Sequence, residues 1–317
     1  MRKSRVAATG AAVLAVALSL INASWIAPAP AGQLILVAHH GVAQAPADGT
    51  GCAAARIKAP DHVLIDDTIH SIAMAFTYGA GAVAVDVQRT GDGAMVVFQD
   101  ETLDCRTNGH GPLSAHSLSE LKALDVGYGY TSDGGKTFPL RGRGIGGMAT
   151  AGEMLREYPS RRFLITIKSS DPKAADALAA AFASAGREID GKYGFFGDSA
   201  VTARMKALAP KAWVGAEPDG ACMDDYLKLG WSGYMPPSCK GATVTLPLEG
   251  QWKIWGWPKR FLARMAGADA RVLMVAEGKG ATARGLTAPE QLDDVPHDFR
   301  GYLLIDDFYT VGRSVQR

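Results

Sequence analysis

Four polar residues of this chain stand where short apolar segments end, and their types could support acid–base or metal chemistry. They are, in chain order, His39, His40, Asp86 and Gln99. A histidine can take up or release a proton near neutral pH, and an aspartate can help to hold a hard cation. A (β/α)8 barrel builds its active site from short buried strands that carry such groups at their carboxyl ends.

The apolar runs and helix caps predict the elements that would position these residues. Strands are expected at 33–37, 82–87, 95–98, 162–167, 193–196, 212–216, 243–247, 271–275 and 301–305. Helices are expected at 68–78, 117–124, 172–185, 199–208, 221–229, 258–266 and 288–292, and a capping box stands at 150–153. Nine strands for eight barrel positions imply that one strand is extra or bent. The alternation is typical of parallel strands joined by right-handed crossovers, so the predicted fold class is α/β, a single (β/α)8 TIM-type barrel.

The first 32 residues differ in composition from the remainder, residues 33–317, which are assigned to the barrel. MRKSR is basic, and residues 6–32 carry no charge. A cleaved signal peptide is favoured by the short basic start and by Ala29-Pro30-Ala31 before Gly32. An uncleaved membrane anchor is favoured by the length of Val6–Trp25, which is near the roughly 20 residues that cross a bilayer as a helix. Both alternatives predict an exported protein, in a periplasm or on the outer face of the cytoplasmic membrane.

The four cysteines fit an exported chain, since an even count in such a chain predicts two disulfides. Three pairings are possible, and the preferred one is Cys52–Cys105 with Cys222–Cys239. Cys52 and Cys105 follow the first and third predicted strands, in loops expected on one barrel face. A metal site is the alternative, but the chain has no C-x-x-C spacing. The net charge of +1, with scattered lysines and arginines, predicts no nucleic-acid partner.

The stretch from Gly79 to Gly109 resembles the glycerophosphodiester phosphodiesterase family. That family reads AHRG after its first strand, PENT at a helix start, GAD-x-x-E-x-D-V-x-x-T-x-DG, and then VVFHDETLDRTTNG. The matching segments here are 38–41, 65–68, 79–93 and 96–109, and a later E-x-K motif matches 166–168. The resemblance covers residues 34–310. It implies a barrel enzyme that cleaves phosphodiesters with two histidines and a divalent cation.

Several of the family's site residues are replaced. Gln99 stands at the second histidine and cannot transfer a proton. Ala84 and Thr166 stand at the two glutamates of the cation site, so Asp86 is the one metal ligand that remains. Calcium or magnesium is therefore a weak expectation, and the site is expected to be vacant unless other carboxylates rebuild it. The candidate replacement ligands are Asp66, Glu217, Glu277, Asp306 and Asp307.

The resemblance also implies roles for residues that are kept or changed in type. His39 matches the first family histidine and is a candidate catalytic residue, as is Lys168, whose family counterpart lies near the phosphate. His40 replaces the arginine of the AHRG motif and is a candidate substrate-binding residue, together with Gln99. Because neighbouring strand residues point to opposite faces, His40 is expected to support the site and not to replace the second histidine.

Three tryptophans, Trp252, Trp255 and Trp257, lie within six residues in a region that walls the pocket in the family. Trp255 and Trp257 are candidate substrate-binding residues, since indoles can stack on a sugar or bury a lipid headgroup. Ordinary packing within the barrel, or a place near the membrane, is the alternative.

These observations leave more than one function open. The first is an exported glycerophosphodiester phosphodiesterase-like enzyme that acts on phosphodiesters of lipid headgroups through an altered site. The alternative is a catalytically inactive barrel that binds a phosphorylated or lipid-like ligand, and a third is glycoside cleavage by newly placed carboxylates. A membrane contact through the N-terminus is expected if that segment is retained. Convergence of Glu277, Asp306 or Asp307 with His39 would distinguish these functions.

Overall fold

The computed structural model describes residues 15–47, 49–215, 220–278 and 283–315. The strands are β1 (Leu34–His39), β2 (Ala82–Arg89), β3 (Met95–Val97), β4 (Phe163–Ile167), β5 (Tyr193–Gly197), β6 (Trp213–Val214), β7 (Thr243–Pro247), β8 (Arg271–Val275) and β9 (Gly301–Ile305). The helices are α1 (15–22), α2 (Ile69–Thr77), α3 (Leu118–Lys122), α4 (Ala151–Glu157), α5 (Lys173–Ser184), α6 (Ser199–Leu208), α7 (Ala221–Leu229), α8 (Lys259–Gly267) and α9 (Arg313–Val315). The expected helix at 288–292 is a 3-10 helix, Pro289–Asp294.

The chain forms two compact units. The larger unit comprises residues 36–217, 284–289 and 304–317, and the smaller unit comprises residues 1–35, 218–283 and 290–303. Each unit has its own parallel strand pairs and its own disulfide.

The sheet of the larger unit has the strand order β6-β5-β4-β2-β1, and all these neighbours pair in parallel. In the register, His39 lies opposite Ala84, and Asp86 lies opposite Thr166. Neighbouring strands are about 4.8 Å apart, so the carboxyl ends of three adjacent strands span roughly 10 Å. The sheet therefore gathers His39, Asp86 and Lys168 at one edge.

Strand β3 is the extra strand among the nine. It pairs antiparallel with β2, with Val87 opposite Val97, and the two form a hairpin across the turn at 90–94. Because the hairpin reverses the chain, Phe98 returns to donate a backbone hydrogen bond to the Asp86 carbonyl at 2.9 Å. Gln99 thus reaches the site from a hairpin and not from the end of a barrel strand.

The helix caps of the larger unit form as expected. Ser117 and Thr150 each accept a hydrogen bond from the backbone of the glutamate three residues later, and that glutamate bonds back to the cap residue. Such reciprocal caps satisfy backbone donors that the first helical turn leaves without partners.

The glycine-rich segment 126–148 folds back on itself around one carboxylate. Asp125 accepts hydrogen bonds from the backbone N–H groups of Gly127, Gly142 and Gly144. Beneath this loop the buried Leu103, with further apolar side chains, forms a core cluster that Cys52 and Cys105 adjoin. The loop is therefore an ordered covering layer of the larger unit.

The smaller unit contains the parallel strands β7 and β8 and residues 301–303 of β9. Its packing is aromatic: Tyr226 lies 5.3 Å from Phe261 between ring centroids, and Trp257 lies 5.6 Å from the same ring. Within the described residues, no helix is long and apolar enough to cross a membrane. Residues 1–14 of the expected N-terminal segment, which spans residues 1–32, lie outside the described residues.

Both predicted disulfides are confirmed. Cys52 bonds Cys105 in the larger unit, Cys222 bonds Cys239 in the smaller unit, and all four cysteines of the chain are thereby used. The Cys52–Cys105 disulfide thus links the long loop after β1 to the loop that follows Gln99, as the preferred pairing predicts.

Candidate active site

His39, the last residue of β1, is paired with a carboxylate from the far end of the chain. Its Nδ1 lies 2.9 Å from Oδ1 of Asp306, which directly follows β9. Burial alone would raise the pKa of Asp306, but the hydrogen bond and charge interaction with His39 hold that pKa below its usual value. An ionised Asp306 accepts the proton on Nδ1, so Nε2 remains for a bound molecule. The His39 side chain is 30% exposed, which allows such contact.

His40 lies beneath His39 and is held by a second carboxylate. The two imidazole rings stack with their centroids 4.0 Å apart, and Nδ1 of His40 lies 3.1 Å from Oδ1 of Asp67. Both members of this second pair are buried. Burial alone would lower the pKa of His40, but the charges of Asp67, Asp86 and Asp66 raise it to about 9. The raised pKa favours the protonated form of His40, whose ring stacks on that of His39.

The stacking of the two histidines corrects the expectation that they face opposite ways. Strand β1 ends at His39, and His40 has a left-handed backbone with φ of 58°. Strand alternation no longer applies at such a residue, since the chain has turned. The substrate-binding role of His40 stays a prediction, although its burial assigns it a supporting position.

Arg106 organises a buried polar network beside the histidine pairs. Its guanidinium donates to Asp66 at 2.8 Å, to Asp100 at 2.8 Å and to the hydroxyl of Tyr130. Gln99 donates through Nε2 to the same Asp66 carboxylate at 3.4 Å. Asp66 therefore accepts hydrogen bonds from two side chains, and its role as a replacement metal ligand stays a prediction.

Sequence reasoning did not single out Arg106, although a signal was present. The family motif VVFHDETLDRTTNG places arginine where this chain has Cys105, and this chain carries its arginine one position later. The shift lets Cys105 bond Cys52 while Arg106 reaches Asp66 and Asp100. The pairing with Asp66 joins segments 40 residues apart, so local spacing could not reveal it.

Asp86 is paired with Lys168 and has no second carboxylate on the neighbouring strand. Nζ of Lys168 lies 3.6 Å from Oδ2 of Asp86, while Thr166 is the register partner of Asp86. Ala84 and Thr166 offer no carboxylate, and a lysine ammonium occupies the position beside the remaining one. In the part of the chain that is described, no three His, Cys, Asp or Glu side chains are grouped to hold a metal. The described residues therefore do not fit the family's cation site, and the metal content stays a prediction.

The other candidate ligands have varied positions. Asp307, next to Asp306, accepts a hydrogen bond from the backbone of Thr310 at 2.9 Å and so caps the following turn. Glu277 belongs to the smaller unit, and Glu217 lies outside the described residues. Asp306, in the larger unit, is a candidate that contacts His39.

The predicted substrate-binding tryptophans belong to the smaller unit. Trp255 donates through its indole N–H to the Leu227 carbonyl at 3.0 Å, and Trp257 packs beside Phe261 and Phe299. One contact is a hydrogen bond and the others are ring packing, and the substrate-binding role of both indoles stays a prediction.

Comparison with known proteins connects this geometry to a family. The model of the glycerophosphoryl diester phosphodiesterase family matches residues 51–185. A glycerophosphodiester phosphodiesterase of Caldanaerobacter subterraneus is 44% identical over 62 residues, which cover 20% of this chain and 26% of that relative. The match thus spans about a quarter of that relative's length.

Solved structures share the fold of this chain over nearly its whole length. The glycerophosphoryl diester phosphodiesterase domain of an uncharacterized Mycobacterium tuberculosis protein has a TM-score of 0.62 at 14% identity, covering 90% of this chain and 98% of that one. An Oleispira antarctica phosphodiesterase, solved with the product sn-glycerol-3-phosphate, has a TM-score of 0.58 at 17% identity, covering 93% of this chain and 100% of that one. The predicted (β/α)8 barrel fold is thereby confirmed. Residues 51–185 thus match the glycerophosphoryl diester phosphodiesterase family, and the fold of the chain is similar to that of solved structures that carry this name.

Proposed function

We propose that this chain hydrolyses phosphodiesters of glycerol-containing headgroups, with His39 as the proton-transfer residue and Asp306 as the residue that orients it. The observation that supports this function is the 2.9 Å bond between His39 Nδ1 and the Asp306 carboxylate. A carboxylate on one ring nitrogen fixes the tautomer and leaves the other nitrogen as an acid or base. The product bound in the Oleispira antarctica phosphodiesterase supports a glycerophosphodiester as the substrate class.

In the proposed reaction a water oxygen attacks phosphorus while His39 Nε2 takes one proton from that water. The bond between phosphorus and one alcohol oxygen breaks, and this oxygen takes a proton from solvent. His39 then returns its proton to solvent, so one water is consumed and the enzyme is restored. The Asp306 carboxylate stabilises the imidazolium that forms between these steps.

In this proposal, cationic side chains supply the positive charge that faces the phosphate. The Lys168 ammonium stands at the end of β4, beside Asp86 at the end of β2. The buried His40 imidazolium adds a second charge from beneath His39. Fixed positive groups of this kind stabilise the charge that develops on phosphate oxygens. Gln99 would contribute an amide N–H as a hydrogen-bond donor.

We place the protein outside the cytoplasm, with phosphodiesters of lipid headgroups as its substrates. The support is the basic start with an uncharged run behind it, together with two disulfides, which persist in oxidising compartments.

A panel of glycerophosphodiesters tests the function, with release of glycerol phosphate as the readout. We expect wild-type turnover on at least one member, and a loss of about 10²–10⁴-fold in kcat for His39→Ala, the usual contribution of a general base. His110→Ala is the matched control, because His110 also bonds an aspartate, Asp104 at 3.1 Å, but stands exposed. Equal activity of the two variants would contradict the assignment of His39.

A further inference from the structure

The smaller unit has an apolar surface that its own folding leaves uncovered. Soluble proteins rarely expose a contiguous group of large apolar side chains unless something else covers it. We call the set of five residues that defines this surface the apolar face. Its members and their exposed fractions are Ile21 (39%), Trp25 (78%), Leu227 (38%), Trp231 (45%) and Trp255 (41%).

Hydrogen bonds through Arg264 and Tyr226 bring three members of the apolar face together. The Arg264 guanidinium donates to the Ile21 carbonyl at 3.0 Å and to the Tyr226 hydroxyl at 2.7 Å. The Tyr226 hydroxyl donates to the Trp255 carbonyl at 2.8 Å, and the Trp255 indole donates to the Leu227 carbonyl at 3.0 Å. Ile21, Leu227 and Trp255 are therefore neighbours and not scattered exposed residues.

The N-terminal segment is attached to the same surface. Asn22 donates through its side-chain amide to the Trp231 carbonyl at 2.6 Å, and Ser24 Oγ accepts from the backbone N–H of Lys259 at 3.0 Å, at the start of α8. Helix α1 has no charged residue, and its Val16 and Leu20 are 59% and 47% exposed. An uncharged helix in this position extends the apolar face.

A lipid bilayer fits this surface better than a protein partner does. Three of the five members are tryptophans, the residue type that gathers where hydrocarbon meets headgroups, because indole has an apolar body and one N–H donor. In the sequence, the uncharged residues 6–14 precede α1, and these follow the basic MRKSR, whose cations suit anionic headgroups. An apolar surface flanked by an uncharged helix and basic residues is suited to lying in the interface of one leaflet.

We propose that the apolar face rests in the interfacial layer of a membrane leaflet and holds the protein there. This inference does not depend on the proposed hydrolytic activity. It extends the membrane contact beyond the N-terminal segment to α7, the turn after it and the loop before α8.

Vesicle binding by the full-length protein tests this proposal. We would measure co-sedimentation with vesicles of phosphatidylcholine and phosphatidylglycerol for the wild type and for Trp231→Ala/Trp255→Ala. Removing these two indoles should weaken partitioning about tenfold or more, because their apolar area would no longer enter the interfacial layer. The matched control is Ile145→Ala, because Ile145 is 70% exposed in the larger unit, and it should bind as the wild type does.

Two further measurements keep the test decisive. Trp25→Ala removes the most exposed member of the face, so it should weaken binding with an unchanged circular dichroism spectrum. Brominated lipid should quench the wild-type tryptophan fluorescence more than that of Trp231→Ala/Trp255→Ala. Equal binding by wild type and double variant would overturn the proposal and leave the N-terminal segment as the sole contact. If the wild type is a dimer that does not bind vesicles, and the double variant is a monomer, the apolar face is an interface between two copies and the proposal is overturned.

Discussion

Two histidine–carboxylate pairs stand side by side in the larger unit, and burial separates their roles. His39 and Asp306 are partly exposed, so their proton can exchange with a substrate. His40 and Asp67 are buried, and the charges of three aspartates favour the imidazolium form of His40. When environments differ in this way, one residue type can serve both as a proton-transfer group and as a fixed charge.

The raised pKa of His40 predicts how stability depends on pH. A histidine whose pKa is higher in the folded state than in the unfolded state binds its proton more tightly when folded. The stabilising contribution of His40 is complete below pH 6.5, its pKa in the unfolded state. The contribution is lost as the pH rises through about 9, its pKa in the folded state. The free energy of unfolding should therefore fall across this window, as measured by urea denaturation at several pH values.

The Asp67→Asn variant tests the cause of this dependence. Removing the Asp67 charge removes the largest interaction that raises the pKa of His40, so the fall between pH 6.5 and 9 should shrink or vanish. Asp104→Asn is the control, since Asp104 pairs with the exposed His110. An undiminished fall in Asp67→Asn would show that His40 is not the group responsible.

Restoring the family residues should change the site only when they are restored together. Gln99→His alone supplies an acid–base group but no carboxylate, so turnover should stay insensitive to a chelator. Gln99→His/Ala84→Glu/Thr166→Glu supplies two further carboxylates near Asp86 and should produce turnover that a chelator abolishes. Chelator-sensitive turnover in the single variant would contradict this interpretation.

The sequence places His39, Asp86 and Lys168 at the ends of predicted strands but does not show which of them pair. Asp306 was one of several carboxylates considered, and its bond to His39 joins residues 267 positions apart. The ring stacking of His40 depends on one left-handed residue, which strand periodicity does not show. Local patterns therefore identify the candidate residues, and only the fold brings them into contact.

Among the elements, the hairpin β2–β3 shows what an apolar pattern can and cannot establish. Both segments were expected as strands, and both form. An apolar run gives no strand direction, so the surplus strand among nine could not be assigned to β3. The capping boxes at Ser117 and Thr150 were found correctly because a cap is encoded within four residues.

The two disulfides should stabilise their units by amounts set by the length of chain they close. Cys52–Cys105 spans 53 residues and Cys222–Cys239 spans 17. Loop-closure entropy gives about 4 kcal/mol for the first and about 3 kcal/mol for the second. Cys52→Ala/Cys105→Ala should therefore lower the free energy of unfolding by more than Cys222→Ala/Cys239→Ala, as measured by chemical denaturation. The reverse order would show that native-state contacts outweigh chain entropy here.

At the scale of the whole molecule, the barrel framework is retained while several site residues have changed. The fold matches solved phosphodiesterases over about 90% of the chain at 14–17% identity. A barrel tolerates such change because the loops and strand ends that carry the chemistry are separate from the packed strands. The fold could be predicted from strand–helix alternation, whereas the new contacts of Arg106 and Asp306 could not.

The most direct test compares Asp306→Asn with the wild type in glycerophosphodiester hydrolysis, each with and without a chelator. If the His39–Asp306 pair performs the chemistry, wild-type kcat is unchanged by the chelator. Asp306→Asn then lowers kcat by at least about tenfold with little change in KM, because the amide leaves His39 in the wrong tautomer. A wild-type activity that the chelator abolishes, together with an unimpaired Asp306→Asn, would contradict the proposed site.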